Sequence, residues 1–172
     1  GGSTATQTLA TDATAALTAN GFTRTGYTFA GWSTTAVGAV AYTDGENYTM
    51  GTANVTLYAQ WTANNNTITF NGNGSTGGST ATQTLATDAT AALTANGFTR
   101  TGYTFAGWST TTVGTVAYAD GADYTMGTAN VTLYAQWTAI DYTVTFDPQG
   151  GTPTPADETV AYGALVTDPG DP

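Results

Sequence analysis

The chain has no cysteine, no histidine and no lysine, and Arg24 and Arg100 are its only basic side chains. Each gap excludes a chemistry. A disulfide framework is ruled out, although an extracellular location is not. Zinc loses its customary nitrogen and sulfur ligands. Nucleophile–base pairs and Schiff-base chemistry lose their side chains too, which leaves paired carboxylates as the one candidate engine for catalysis. Twelve acidic residues against two basic ones give a net charge of −10. That balance argues against nucleic acid, whose binding needs Lys and Arg on the phosphates, and against anionic membrane surfaces. No run approaches the roughly 18 apolar residues of a membrane span, so no membrane insertion is expected.

Charged residues make up only 8% of the chain, so Thr, Ala and Gly must cover much of its surface. Aromatic residues reach 12%, enough large apolar area for small folded cores rather than a disordered tract.

The chain is written almost twice. Residues 1–63 recur at 77–139 with five substitutions, a 76-residue unit followed by the start of a third copy. Near-identical tandem copies suit a function that grows with length or valency, because a catalytic site gains nothing from standing beside its duplicate. The runs TITF (67–70) and TVTF (143–146) open the second and third copies, and no such run precedes Gly1. The phase implies an excerpt of three parts: 1–63, a repeat lacking its first strand; 64–139, a complete repeat; and 140–172, the N-terminal part of a third. It also suggests a partner beyond the neighbouring repeats, since Thr143–Phe146 of one chain would complete the sheet of the next by head-to-tail strand addition.

Period-two alternation dominates locally. In VTLYAQW (55–61 and 131–137), Val55, Leu57, Ala59 and Trp61 share one face and Thr56, Tyr58 and Gln60 the other, which reads as a strand. GYTFAGW (26–32 and 102–108) reads as a strand with Tyr27 and Phe29 on one face and Trp32 on the opposite one, so that both faces are covered. TITF and TVTF are strands with β-branched residues. NG and DG dipeptides and the run NGNGSTGG (71–78) mark turns. TDATAALTAN (11–20 and 87–96) is ambiguous: Asp12 and Asp88 suit the cap of a short helix, while the threonines suit a strand. The third copy has PTPADETVAYGALVTDPGDP here, and its prolines exclude a regular helix. The fold class is mainly β, with α+β as the alternative, in tandem small domains arranged as beads on a string.

Candidate sites are few. Asp44 and Glu46 correspond to Asp120 and Ala122, with Asp123 in place of Asn47. A carboxylate pair whose spacing changes between copies cannot serve a glycosidase, which needs a fixed separation, so no catalytic residue is assigned and the chain is read as no enzyme. DGEN and DGAD are oxygen-rich but too short for a calcium loop, and read as Asp-Gly turns. Neither metal nor cofactor is expected. Trp32, Tyr42, Tyr48, Trp108, Tyr118 and Tyr124 form a candidate ligand platform for glycans, against the alternative that the tryptophans are core. Arg24 and Arg100 precede GYTF at one offset, suiting a local salt bridge or carbonyl contact that pins the turn, or partner recognition.

The succession TVTFDPQGG, RTGYTFAGW and VTLYAQWT resembles the Listeria-Bacteroides repeat, the B repeat of internalin B, over all 172 residues. The resemblance implies a small β-grasp-like domain, placed outside the cell in a stalk, adhesin, cell-wall protein or filament of a bacterial surface. Its departure is the Thr/Ala-rich stretch at 2–20 and 78–96, which the third copy replaces with a different one.

Overall fold

A computed structural model describes residues 1–152 and 155–167. Pro153, Thr154 and residues 168–172, which hold three of the five prolines, lie outside the described residues. Every described regular element is a strand, so the chain is mainly β.

The first repeat contributes β1 (Thr14–Ala16), β2 (Tyr27–Ser33), β3 (Asn47–Thr49) and β4 (Tyr58–Ala63). The second contributes β5 (Asn65–Asn71), β6 (Gly77–Gly78), β7 (Gln83–Ala86), β8 (Thr90–Ala92), β9 (Phe98–Thr99), β10 (Tyr103–Ser109), β11 (Asp123–Thr125) and β12 (Val131–Ala139). The third adds the antiparallel pair β13 (Asp141–Val144) and β14 (Glu158–Ala161). Two compact units result: Gly1–Thr67 with Thr84–Thr90 and Thr125–Asn130, and Ile68–Gln83 with Ala91–Tyr124 and residues 131–172.

The second repeat's main sheet runs β10-β12-β5-β7. β12 is antiparallel to β10 and parallel to β5, with Val131 opposite Ile68 and Leu133 opposite Phe70. The alternating face of β12 lies in the core, Leu133 and Ala135 both being 0% exposed. Ile68, Phe70, Leu93 and Trp108 are buried as well. In the first repeat only β2 and β4 pair in this way.

One open alternative is decided and one expectation changes. The stretch at 11–20 and 87–96 holds the strands β1 and β8, which pair with β3 and β11, and no helix. Asp12 and Asp88 do not cap: each sits at positive φ (63° and 64°) in a turn and donates its amide to Met50 O or Met126 O. The two faces of GYTFAGW are not both covered by its aromatics either. A bulge shifts the register between Phe29 and Gly31, so that Phe29 opposes Trp61 and Trp32 opposes Ala59. One extra residue returns Trp32 to the Phe29 face. Gly31 takes φ 144° there, and Gly107 repeats it at 143°. The rings of Phe29 and Trp32 meet edge to face at 5.0 Å.

Candidate functional site

The six aromatics of the sequence-derived platform do not share one exposure. Trp32 and Trp108 are 5% and 0% exposed, because the bulge turns both indoles into the core, where they offer no ring face to a sugar. Their Nε1 atoms are buried without a hydrogen-bond partner among the described residues. The tyrosines are half-buried and meet in edge-to-face pairs, Tyr42 with Tyr48 at 5.3 Å and Tyr118 with Tyr124 at 5.2 Å, so each pair lacks the coplanar faces of a stacking platform. Burial, and secondarily Tyr118, pushes the Tyr124 hydroxyl above its ordinary pKa.

The acidic turns carry structural bonds. Asp44 Oδ1 accepts the amide of Asn20 at 2.8 Å, and Asp120 Oδ1 that of Asn96 at 2.8 Å, tying each DG turn to the preceding Asn-Gly pair. Glu46 Oε2 accepts from the amide and hydroxyl of Thr43 at 2.6 and 3.0 Å, which holds its carboxyl below the usual range. Ala119 and Ala122 stand at these positions in the second repeat. Among the described residues no three His, Cys, Asp or Glu gather into a metal-binding group. No helix of the described residues is long and apolar enough to cross a membrane.

The most regular constellation is a joint that sequence reasoning missed. It is built by the RTGY turn, the linker after VTLYAQWTA and a turn of the following repeat. In the first unit Gly26 O accepts from Asn64 N at 2.9 Å, and Asn64 O accepts from Thr87 N at 2.8 Å. In the second unit Gly102 O accepts from Ile140 N at 2.9 Å, and Ile140 O from Tyr162 N at 2.8 Å. The same two-bond relay therefore recurs despite Asn64 giving way to Ile140 and Thr87 to Tyr162.

Side chains complete it. Tyr27 Oη donates to Asp88 Oδ2 at 2.7 Å, which raises the Tyr27 pKa, and Thr28 Oγ1 donates to Asn64 Oδ1 at 2.6 Å. In the second unit the ring of Tyr103 meets that of Tyr162 at 5.7 Å. Gly26 and Gly102 adopt φ 79° and 77°, and a methyl group on either would run into Thr87 and Thr128 or into the Tyr162 ring. Glycine is required there by conformation and by space. Among the described residues neither arginine forms the salt bridge that was one of the alternatives for it. Their guanidinium groups lie over Tyr27 at 3.6 Å and Tyr103 at 3.9 Å, bracing the joint tyrosines by cation–π contact. The signal legible in sequence was the fixed Arg-Thr-Gly-Tyr spacing in both copies.

Comparison with known proteins bears on the same motifs, since the Listeria-Bacteroides repeat domain matches residues 1–60, 67–136 and 142–172. The chain belongs to this repeat family. It is 35% identical over 154 residues to a protein named as a Gly-rich membrane protein of Evansella cellulosilytica, covering 85% of the chain and 18% of that relative. It is 37% identical over 133 residues to Internalin H of Listeria monocytogenes, covering 77% of the chain and 23% of the relative. The chain thus spans about a fifth of the length of these curated relatives. No solved structure matches it.

Proposed function

We propose that the chain is a non-enzymatic, extracellular structural module, a stalk or spacer within a bacterial surface adhesin, cell-wall protein or filament. The observation that carries this reading is the recurring joint. A spacer must transmit position from one repeat to the next, and the relay through Gly26, Asn64 and Thr87 is reproduced through Gly102, Ile140 and Tyr162. Short linkers closed by backbone bonds leave little of the freedom of a flexible tether. The names of the relatives, an internalin and a membrane protein, support a surface location.

Each repeat is further read as a β-grasp-like bead. The order β10-β12-β5-β7, with the first and last long strands parallel at the centre, supports that topology, the crossover being made of turns and short strands. The glycan-binding alternative is left only the edge-to-face tyrosine pairs and is not preferred.

The test is length. Chains carrying one or two additional copies of residues 64–139 are compared by small-angle X-ray scattering. A spacer gains a constant increment of maximum dimension per copy, roughly 30 Å for a domain of this size. A dimension that saturates with added copies would overturn the reading.

A further inference from the structure

The chain enters the second repeat through β5 and leaves it through β12, and these two strands are parallel neighbours at the centre of one sheet. That arrangement decides how a pull along the chain is felt. Tension draws β5 backward by its first residue and β12 forward by its last. In parallel strands those forces oppose each other along a common axis, so the strands are loaded to slide past one another. The ladder between them registers Val131 with Ile68, Thr132 with Thr69, Leu133 with Phe70 and Tyr134 with Asn71. Its bonds are evenly spaced along the strands, and a sliding load falls on all of these pairs at once. A load that parted the strands from one end would break them one after another.

The surroundings oppose sliding as well. Neither strand is at the edge of the sheet, since β10 flanks β12 and β7 flanks β5, so moving either one also breaks pairing on its other side. The inward face of the ladder is dry: Ile68, Leu133 and Ala135 are 0% exposed and Phe70 is 6% exposed. Hydrogen bonds backed by such a core are stronger than those surrounded by water. Side chains bracket the ladder at both ends. Asn130 Oδ1 accepts from Thr67 N at 2.8 Å just before it, and Trp137 Nε1 donates to Gly72 O at 2.9 Å just beyond it.

We propose that the second repeat is a load-bearing clamp, in which the β5–β12 ladder, braced by Asn130 and Trp137, keeps the repeat folded against tension along the chain. Every part of the clamp lies within residues 64–139. A spacer sets distance, whereas a clamp resists pull; the proposal rests on the spacer reading only for the source of that pull.

Single-molecule force spectroscopy on the full chain tests it. Because the sequence has no cysteine, handles can be attached through two introduced thiols at exposed positions. Asn65→Cys with Thr138→Cys loads the ladder in shear, and Asn65→Cys with Ala129→Cys peels the same strands apart from their common starting end. Forced unfolding reads the unfolding rate rather than equilibrium stability, so a barrier that depends on direction shows directly. At one pulling speed the shear pair should need a several-fold higher force, in an event that releases roughly 250 Å, close to the extended length of residues 65–138. Trp137→Phe keeps an aromatic ring but removes the Nε1–H. It should lower the shear force and leave the peeling force unchanged, because peeling begins at the other end of the ladder. The comparison of the two directions stands without that variant, should it fail to fold. Equal forces in the two directions would overturn the clamp, and a shear force that a folded Trp137→Phe leaves unaltered would overturn its brace at Trp137. Neither result would alter the constant scattering increment per added copy, which tests the spacer separately.

Discussion

The nonapeptide VTLYAQWTA occurs at residues 55–63 and again at 131–139, and the two copies adopt different structures. In the second repeat all nine residues form β12, whereas in the first only Tyr58–Ala63 form β4. Leu133 is fully buried; its twin Leu57 is half-buried, and Val55 is 40% exposed. Local propensity is identical in the two, so it cannot be the cause. The difference is β5, whose residues Ile68–Asn71 pair with Val131–Tyr134 and lay Ile68 and Phe70 against the core. Strand formation at this sequence is therefore a tertiary event, decided by the neighbour supplied by the chain.

The largest expected contrast comes from one substitution made at both twins. Leu133→Ala should cost about 2–5 kcal/mol, the usual loss for a fully buried leucine, while Leu57→Ala should cost less than half as much. Denaturant unfolding followed by tryptophan fluorescence reads both, and equal losses would break the contrast. Next in size are the joint glycines. Gly26→Ala and Gly102→Ala should each destabilise by about 1–3 kcal/mol through left-handed backbone strain and collision with the next repeat. Gly121→Ala is the control, with φ 66° and open space around it, and should show only the conformational part, about 1 kcal/mol.

Smaller effects separate the two joints and the two acidic turns by pH. The Tyr27 pKa is raised, chiefly by donation to Asp88, so its contribution is full below the ordinary value of 10.0 and is lost as pH rises through the higher folded value. Asp88→Asn should blunt that alkaline loss in thermal melts. The Glu46 pKa is lowered by its bonds from Thr43. Its contribution is present above 4.5 and disappears as pH falls through the folded value. Glu46→Ala should therefore lower the melting temperature slightly at neutral pH and not in acid.

Much of the architecture was legible where period and turn chemistry agree. The alternation of VTLYAQW gave the correct buried face, and the DG dipeptides fall at turns, whereas Asn20-Gly21 and Asn96-Gly97 lie in irregular backbone where the Asn Oδ1 accepts the amide two residues on. The bulge was not foreseen, and one inserted residue reverses the face of everything beyond it; the mark it left in the sequence is the lone glycine inside the strand, Gly31, which takes φ 144° at the register shift. The TDATAALTAN stretch was ambiguous because Ala and Leu favour helix, yet the cross-strand partners Asn47–Thr49 decide for β. The joint was hidden for another reason. Tyr27 and Asp88 lie 61 residues apart, and no local pattern links them.

The twin nonapeptides allow an unusually direct measurement, since identical sequence gives nearly identical intrinsic amide exchange. Hydrogen–deuterium exchange by mass spectrometry, on dilute monomer and with fragments distinguished by their flanking residues, compares Val55–Tyr58 with Val131–Tyr134. Slow exchange at 131–134 with fast exchange at 55–58 is the expected result if a neighbouring strand makes the difference. Equal protection of the two segments would contradict it.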